Sequence, residues 1–177
     1  MPRPPNPKRG THSNSLPHPQ EEESCLEGES LDNFLRAFDR EIESARSMDG
    51  ALPDKIWLKQ QLAVGVNEVT RVLERMPPND DGLRVSHNDD NSNDAVHHHL
   101  QLQAILLASD CNPKWLTKHL FSLAASRRVP ILLLKDKKNG SFRLGEVVKL
   151  KTAIALGVKA RGNAINQFIS SHLQRTT

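Results

Sequence analysis

Tyrosine is absent from these 177 residues, and aromatics as a class make up only 4%. With 37% hydrophobic residues as well, a fair part of the chain lacks the material to pack a core. Two cysteines, Cys25 and Cys111, offer neither a disulfide framework nor the paired spacing of a zinc site, so a reducing compartment is the default expectation. No apolar run approaches the ~20 residues of a membrane span. The first twenty residues are rich in proline and have no apolar core, which excludes a secretory signal of the usual form. Enzyme signatures are missing too. There is no phosphate-binding P-loop, no glycine-rich dinucleotide turn and no nucleophile elbow. Cys111 and His119 do not converge by helical phase into a nucleophile and base, and the thiol reads as a small core residue.

Acidic residues are scarce in one half of the chain. Residues 100–177 hold 13 Lys/Arg against 3 Asp/Glu, a balance of +10, whereas residues 1–99 hold 11 against 18, a balance of −7. The overall charge of +3 conceals a basic C-terminal half, the footprint of a polyanion binder. A solvated surface rich in lysine and arginine is the alternative, and charge alone favours nucleic acid over it only slightly.

Residues 1–29 read as a disordered tail, proline-rich and then acidic at Glu21, Glu22 and Glu23. Leu31, Phe34, Leu35, Phe38 and Ile42 then recur at helical spacing, with Ser30 as a cap and Asp49-Gly50 as the stop. Pro53-Asp54 opens a short helix carrying Ile56, Trp57 and Gln60, where Trp57 is a core or docking residue. Leu62, Ala63 and Val64 form a short strand. Residues 79–99 are a polar loop insertion. Its His97, His98 and His99 cannot all face one ion from regular structure, and no metal site is expected.

The run Ala104-Ile105-Leu106-Leu107-Ala108 suits a strand covered on both faces. Asp110-Cys111-Asn112-Pro113 is a turn before a helix whose buried stripe is Trp115, Leu116, Leu120, Leu123 and Ala124. A strand over 129–134, a basic loop over 135–140, a short helix led by Leu144-Gly145, a strand over 153–158 and a closing helix after Gly162 complete the chain. This alternation predicts an α/β fold: a three-layer α/β/α sandwich around a mixed sheet of about four strands. The domain spans 30–175, with the disordered tail before it.

The informative stretch is Gly65-Val66-Asn67-Glu68-Val69-Thr70-Arg71. Asn67 is read as an N-cap, Glu68 as a carboxylate placed where the helix dipole favours it, and Arg71 as one turn further along the same face. A helix start also suits a phosphate. On spacing alone, an ordinary capped helix with solvated charges is the favoured reading.

Taken in order, these motifs resemble the kink-turn RNA-binding family named after ribosomal protein L-seven-Ae. The resemblance rests on Gly65-x-Asn67-Glu68-x-x-Arg71, an apolar strand, Asp110 and Pro113 before a helix with His119-Leu120, then Val129-Pro130 and Leu144-Gly145. It covers roughly residues 58–175 apart from the insertion. Residues 61–71 look most like a branch of that family that serves nuclear ribonuclease P and MRP, because Leu62, Ala63 and Val64 stand where ribosomal and snoRNP members are usually basic.

The resemblance implies a non-catalytic RNA-binding subunit that recognises a kink-turn-like element and supports tRNA 5′-end and rRNA precursor processing. A snoRNP or ribosomal kink-turn binder is the runner-up, and a protein-interaction module without RNA binding is the alternative of another class. Gly65, Asn67, Glu68 and Arg71 would form one RNA contact, and Lys149, Leu150, Lys151 and Thr152 the second. Arg71 departs from the more usual lysine, and Lys149 from a small residue. Lys135, Lys137, Lys138 and Arg143 read equally well as extra phosphate contacts or as a solvated loop. Implied partners are structured RNA and other protein subunits, with no cofactor, metal, membrane or small-molecule substrate. Nuclear and nucleolar localisation is implied on the same basis.

Overall fold

In the computed structural model, the described residues are 24–78, 101–137 and 139–176. The histidine run, the insertion over 79–99 and Lys138 lie outside them, as does the tail before Ser24. Among the described residues the strands are β1 (Ser24–Glu27), β2 (Leu62–Val64), β3 (Leu102–Ala108), β4 (Ile131–Lys135) and β5 (Ala155–Lys159). The helices are α1 (Gly28–Met48), α2 (Asp54–Gln61), α3 (Val66–Arg75), α4 (Trp115–Ser126), α5 (Gly140–Val147) and α6 (Ala164–Thr176). No helix among them is long and apolar enough to cross a membrane.

The strands form one five-stranded mixed sheet in the order β1-β4-β3-β5-β2. β4 runs parallel to both β1 and β3, while β5 is antiparallel to β3 and β2. The expected sandwich is present, with one strand more than the predicted four. The extra strand is β1, in a segment read as tail. Residues 24–29 are instead β1 and the first residues of α1. Only Leu26 of β1 is buried, so four residues carry no recognisable pattern. Their structure comes from pairing with β4 more than a hundred positions later, Cys25 opposite Leu133 and Leu26 opposite Leu134.

β3 shows why the sheet is covered twice. Ala104, Leu106 and Ala108 enter one core with Leu31, Phe34, Phe38, Leu132, Leu144 and Ile165. Ile105 and Leu107 point the other way, among Val69, Val72, Leu73, Leu120 and Ala124. Successive strand side chains face opposite sides, so a continuous apolar run feeds both layers. Helices α1, α5 and α6 cover the first face; α3 and α4 cover the second. Trp57 is buried in the first core, as expected, and its indole N–H donates to Asp49 at 3.1 Å.

Two local expectations are corrected. The N-cap of α1 is Glu27, and Ser30 sits inside the helix, where its hydroxyl donates back to the Glu27 carbonyl at 2.8 Å. Trp115 does not belong to the buried stripe of α4, which is Thr117, Leu120 and Ala124; it is 69% exposed. At the first position of α4 the indole falls on the opposite side of the helix from Leu120.

Candidate nucleic-acid interface

The register places several chain reversals on one rim of the sheet. β2 ends at Val64 opposite Leu156, and β3 ends beside Ala155, so the C-terminal ends of β2 and β3 meet the start of β5. β4, parallel to β3, ends on the same side. Helices α3, α4 and α5 follow β2, β3 and β4 and therefore all start at this rim. Helix starts carry partial positive charge, so the rim favours anions.

α3 begins immediately after Gly65, whose backbone N–H donates to the Ala155 carbonyl at 2.8 Å. Gly65 has φ 91 and ψ 158, a conformation open essentially to glycine alone. Here the structure corrects the expected cap: the N-cap is Gly65, and Asn67 lies within the first turn. The reason is the tie to β5, which turns the chain two residues earlier than the side-chain preference of Asn67 suggested. No side chain caps the helix, so the N–H groups of Val66, Asn67 and Glu68 have no intrahelical partner. Asn67 is thereby freed from a capping role, and its amide is exposed.

Glu68 and Arg71 stand on successive turns, 3.9 Å apart at their nearest charged atoms. At that distance and exposure the pair constrains neither partner strongly. Buried position lowers the Lys159 pKa; the carboxylate of Glu68 opposes that shift and Arg161 adds to it. The Glu68 carboxylate therefore feels a second cation besides Arg71.

The loop over 149–152 is set by a chain of backbone contacts. Asp110 accepts from the Ser141 backbone N–H at 2.9 Å and from its hydroxyl at 2.9 Å, capping the start of α5. The Ser141 carbonyl accepts from Ala153 N–H at 2.8 Å, and the Gly145 carbonyl accepts from Leu150 N–H at 2.9 Å. The loop lies so close to α5 that a Cβ on Gly145 would sit 2.6 Å from the Thr152 Cα. Asp110 and Gly145 are thus the residues that hold the loop in place.

Gly65, Asn67 and Thr152 line one cavity of about 630 Å³, together with Val64, Val66, Ala153, Ile154 and three residues of α4: Trp115, Leu116 and His119. Gly65 and Asn67 of the first expected contact and Thr152 of the second thus share one cavity, whereas Glu68, Arg71, Leu150 and Lys151 are not among its lining residues. Leu150 and Lys151 are exposed on the adjoining loop. Lys149 is turned elsewhere: its ammonium lies 3.4 Å from Glu43 and 3.9 Å from Asp39, both on α1. Arg143 is likewise engaged, between Asp32 and, at 3.4 Å, Asp136, whereas Lys135 and Lys137 are exposed among the described residues of that loop.

The sequence reading missed the α4 contribution to this cavity. His119 bonds the Thr70 hydroxyl at 2.9 Å, tying α4 to α3. Trp115 and His119 are four residues apart and out of phase with Leu120 and Ala124, a signal that was present in the spacing. Cys111 stays a core residue: it is buried, its thiol faces the Pro113 carbonyl at 3.8 Å, and burial, then the Asp110 charge, push its pKa up.

Comparison with known proteins agrees with this architecture. Residues 93–167 match the pattern of the Ribosomal protein L7Ae/L30e/S12e/Gadd45 family, a match that begins after α3. The chain is 30% identical to the Bos taurus Ribonuclease P protein subunit p38 over 118 residues, 67% of this chain and 32% of the relative. To the Homo sapiens protein of the same name it is 28% identical over 121 residues, 68% of this chain and 32% of the relative. The chain therefore spans about a third of the length of these curated relatives. Among solved structures, the Giardia lamblia 15.5kD RNA binding protein shares the fold, with a TM-score of 0.50 and 14% identity, covering 86% of this chain and 94% of that one.

Proposed function

We propose, from the resemblance to the L7Ae/L30e family and to ribonuclease P subunits, that this chain is a non-catalytic, RNA-binding subunit of a ribonuclease P or MRP ribonucleoprotein. Its ligand is a kink-turn-like RNA element, and its task is to support tRNA 5′-end and rRNA precursor processing, with catalysis left to the RNA. The observation that carries this reading is the cavity lined by Gly65 and Asn67 at the uncapped start of α3 and by Thr152 at the end of the loop over 149–152, on the rim where helix dipoles point outward.

The chemistry fits tandem sheared G·A pairs beside a sharp bend. Guanine amino groups are donors that the Glu68 carboxylate accepts; guanine O6 and N7 are acceptors that the Asn67 amide and Arg71 guanidinium meet. The free N–H groups of Val66, Asn67 and Glu68 suit a phosphate. Leu150 covers an exposed base, and Lys151 neutralises backbone charge. Leu62, Ala63 and Val64 are taken up by β2 and offer no cation before Gly65, so phosphate attraction rests on the C-terminal half.

Glu68→Ala should weaken binding to a synthetic kink-turn hairpin by about 1–3 kcal/mol, the worth of one good base contact. Titration by electrophoretic mobility or calorimetry measures it, and unchanged affinity sinks the recognition model. Crosslinking in cells followed by sequencing of the recovered RNA tests the assembly. Ribonuclease P or MRP RNA supports it, snoRNA moves the chain to the other kink-turn branch, and recovery of no RNA favours a protein-interaction module. The proposal includes nuclear and nucleolar residence, which a tagged chain confined to the cytoplasm would refute.

A further inference from the structure

Trp115 has no packing role that explains it. An indole 69% exposed at the first position of a helix is a large apolar surface left in water. It lines two cavities at once. One is the 630 Å³ space it shares with Gly65, Asn67 and Thr152; the other, of about 590 Å³, follows the outer side of α4 past Lys118, His119, Phe121 and Ser122. The indole is thus a rib between the site already described and a second groove leading away from it.

The surroundings of that rib are cationic. α4 contains no acidic residue, and Lys114 and Lys118 flank the indole in sequence. The nearest carboxylate in the chain before it, Asp110, is occupied at the start of α5. The groove itself is held in shape by the His119–Thr70 bond between α4 and α3. An exposed aromatic face among lysines, continuous with a candidate base-reading helix, is the arrangement that receives an unpaired base, with the flanking phosphates held by the cations.

We propose that Trp115 is a stacking platform for an unpaired nucleobase of the bound RNA, extending the interface from α3 along α4. The inference rests on the RNA-binding reading above, and it adds a residue outside the two contacts that the resemblance implied. Stacking uses the π-face common to all bases, so the platform contributes affinity without selecting one base. The kink-turn bulge, whose nucleotides are unpaired, is the source of that base.

The test is a two-by-two comparison. Wild-type chain and Trp115→Ala are each titrated with a synthetic kink-turn hairpin and with the same hairpin whose bulge nucleotides are abasic. Removal of the indole should weaken binding to the intact hairpin by about 5- to 150-fold, the span measured for single base–aromatic stacks. Abasic substitution should weaken the wild type similarly and add little to Trp115→Ala, because both remove one contact. Trp115→Phe should retain most of the affinity and Trp115→Leu should not.

Tryptophan quenching gives an independent readout. The other indole, Trp57, is 2% exposed and buried in the core, so acrylamide quenching reports Trp115. Saturating RNA should protect it. Wild-type affinity in Trp115→Ala, additive losses in the cycle, or unchanged quenching each overturn the platform. If Glu68→Ala still weakens binding in that case, the RNA-binding reading stands alone. If the wild type binds neither hairpin, both fall.

Discussion

Lys149 and Lys151 are separated by one residue yet have different surroundings. The Lys149 ammonium faces Glu43 and Asp39 across the surface of α1, whereas Lys151 is exposed beside the shared cavity. An exposed pair of this kind contributes only about 0–1 kcal/mol to stability, but it holds the Lys149 charge beside α1. Lys151→Ala should therefore weaken kink-turn binding and reduce the magnitude of the salt slope by about one unit, as expected for one lost phosphate contact. Lys149→Ala should leave both nearly unchanged. Affinity measured across a salt series decides it; equal slopes for the two variants would remove the distinction and return Lys149 to the site. The sequence placed both lysines in one contact loop, since alternation along four residues does not reveal which of them meets an acidic helix a hundred positions earlier.

At the scale of elements, the interface depends on two glycines for different reasons. A Cβ on Gly65 would meet nothing within 4 Å, but φ 91 with ψ 158 penalises any other residue. A Cβ on Gly145 would strike the backbone of Thr152 at 2.6 Å. Gly65→Ala should cost about 1–3 kcal/mol through backbone strain, and Gly145→Ala about 1–3 kcal/mol through overpacking. Thermal or urea unfolding measures both. Their effect on RNA should differ: Gly65→Ala disturbs the start of α3 and so the Asn67–Glu68 contact, while Gly145→Ala lifts the loop and removes Leu150 and Lys151. A Gly145→Ala chain with native stability would show that the loop is not pressed against α5. The same elements show what periodicity can reveal. The core of β3 was legible because one strand buried on both faces is apolar without interruption. The start of α3 was legible to within two residues because its signals are local, although the cap is Gly65 and not Asn67. β1 was not, since its partner is remote, and Trp115 was misplaced because hydrophobicity outweighed helical phase. The crossing of Thr152 over Gly145 was visible only as a glycine without a stated reason.

The whole molecule is held by two cores on either side of one sheet, and the larger is closed by the packing of α1 against α6. His172 lies on that seam, its ring centroid 4.7 Å from Phe34, near Phe168. Burial first, and the Arg175 charge second, hold the imidazole pKa below its ordinary value. The clefts it lines also contain Arg36, Asp39, Arg40 and Glu41 of α1, so charges of both signs surround it and burial sets the direction. The folded state thus binds a proton less readily at this site than the unfolded chain, whose imidazole titrates near ~6.5. Above that pH the ring is neutral in both states and the full stability is present. As the pH falls below it, the unfolded state takes up the proton first, and stability declines until the folded ring is protonated too. Wild-type melting temperature should therefore fall between about pH 7 and pH 5, and His172→Gln, which keeps a polar group without the titration, should show a shallower fall over the same window. Parallel pH profiles for the two chains would assign the acid sensitivity to other groups and leave the α1–α6 seam indifferent to protons.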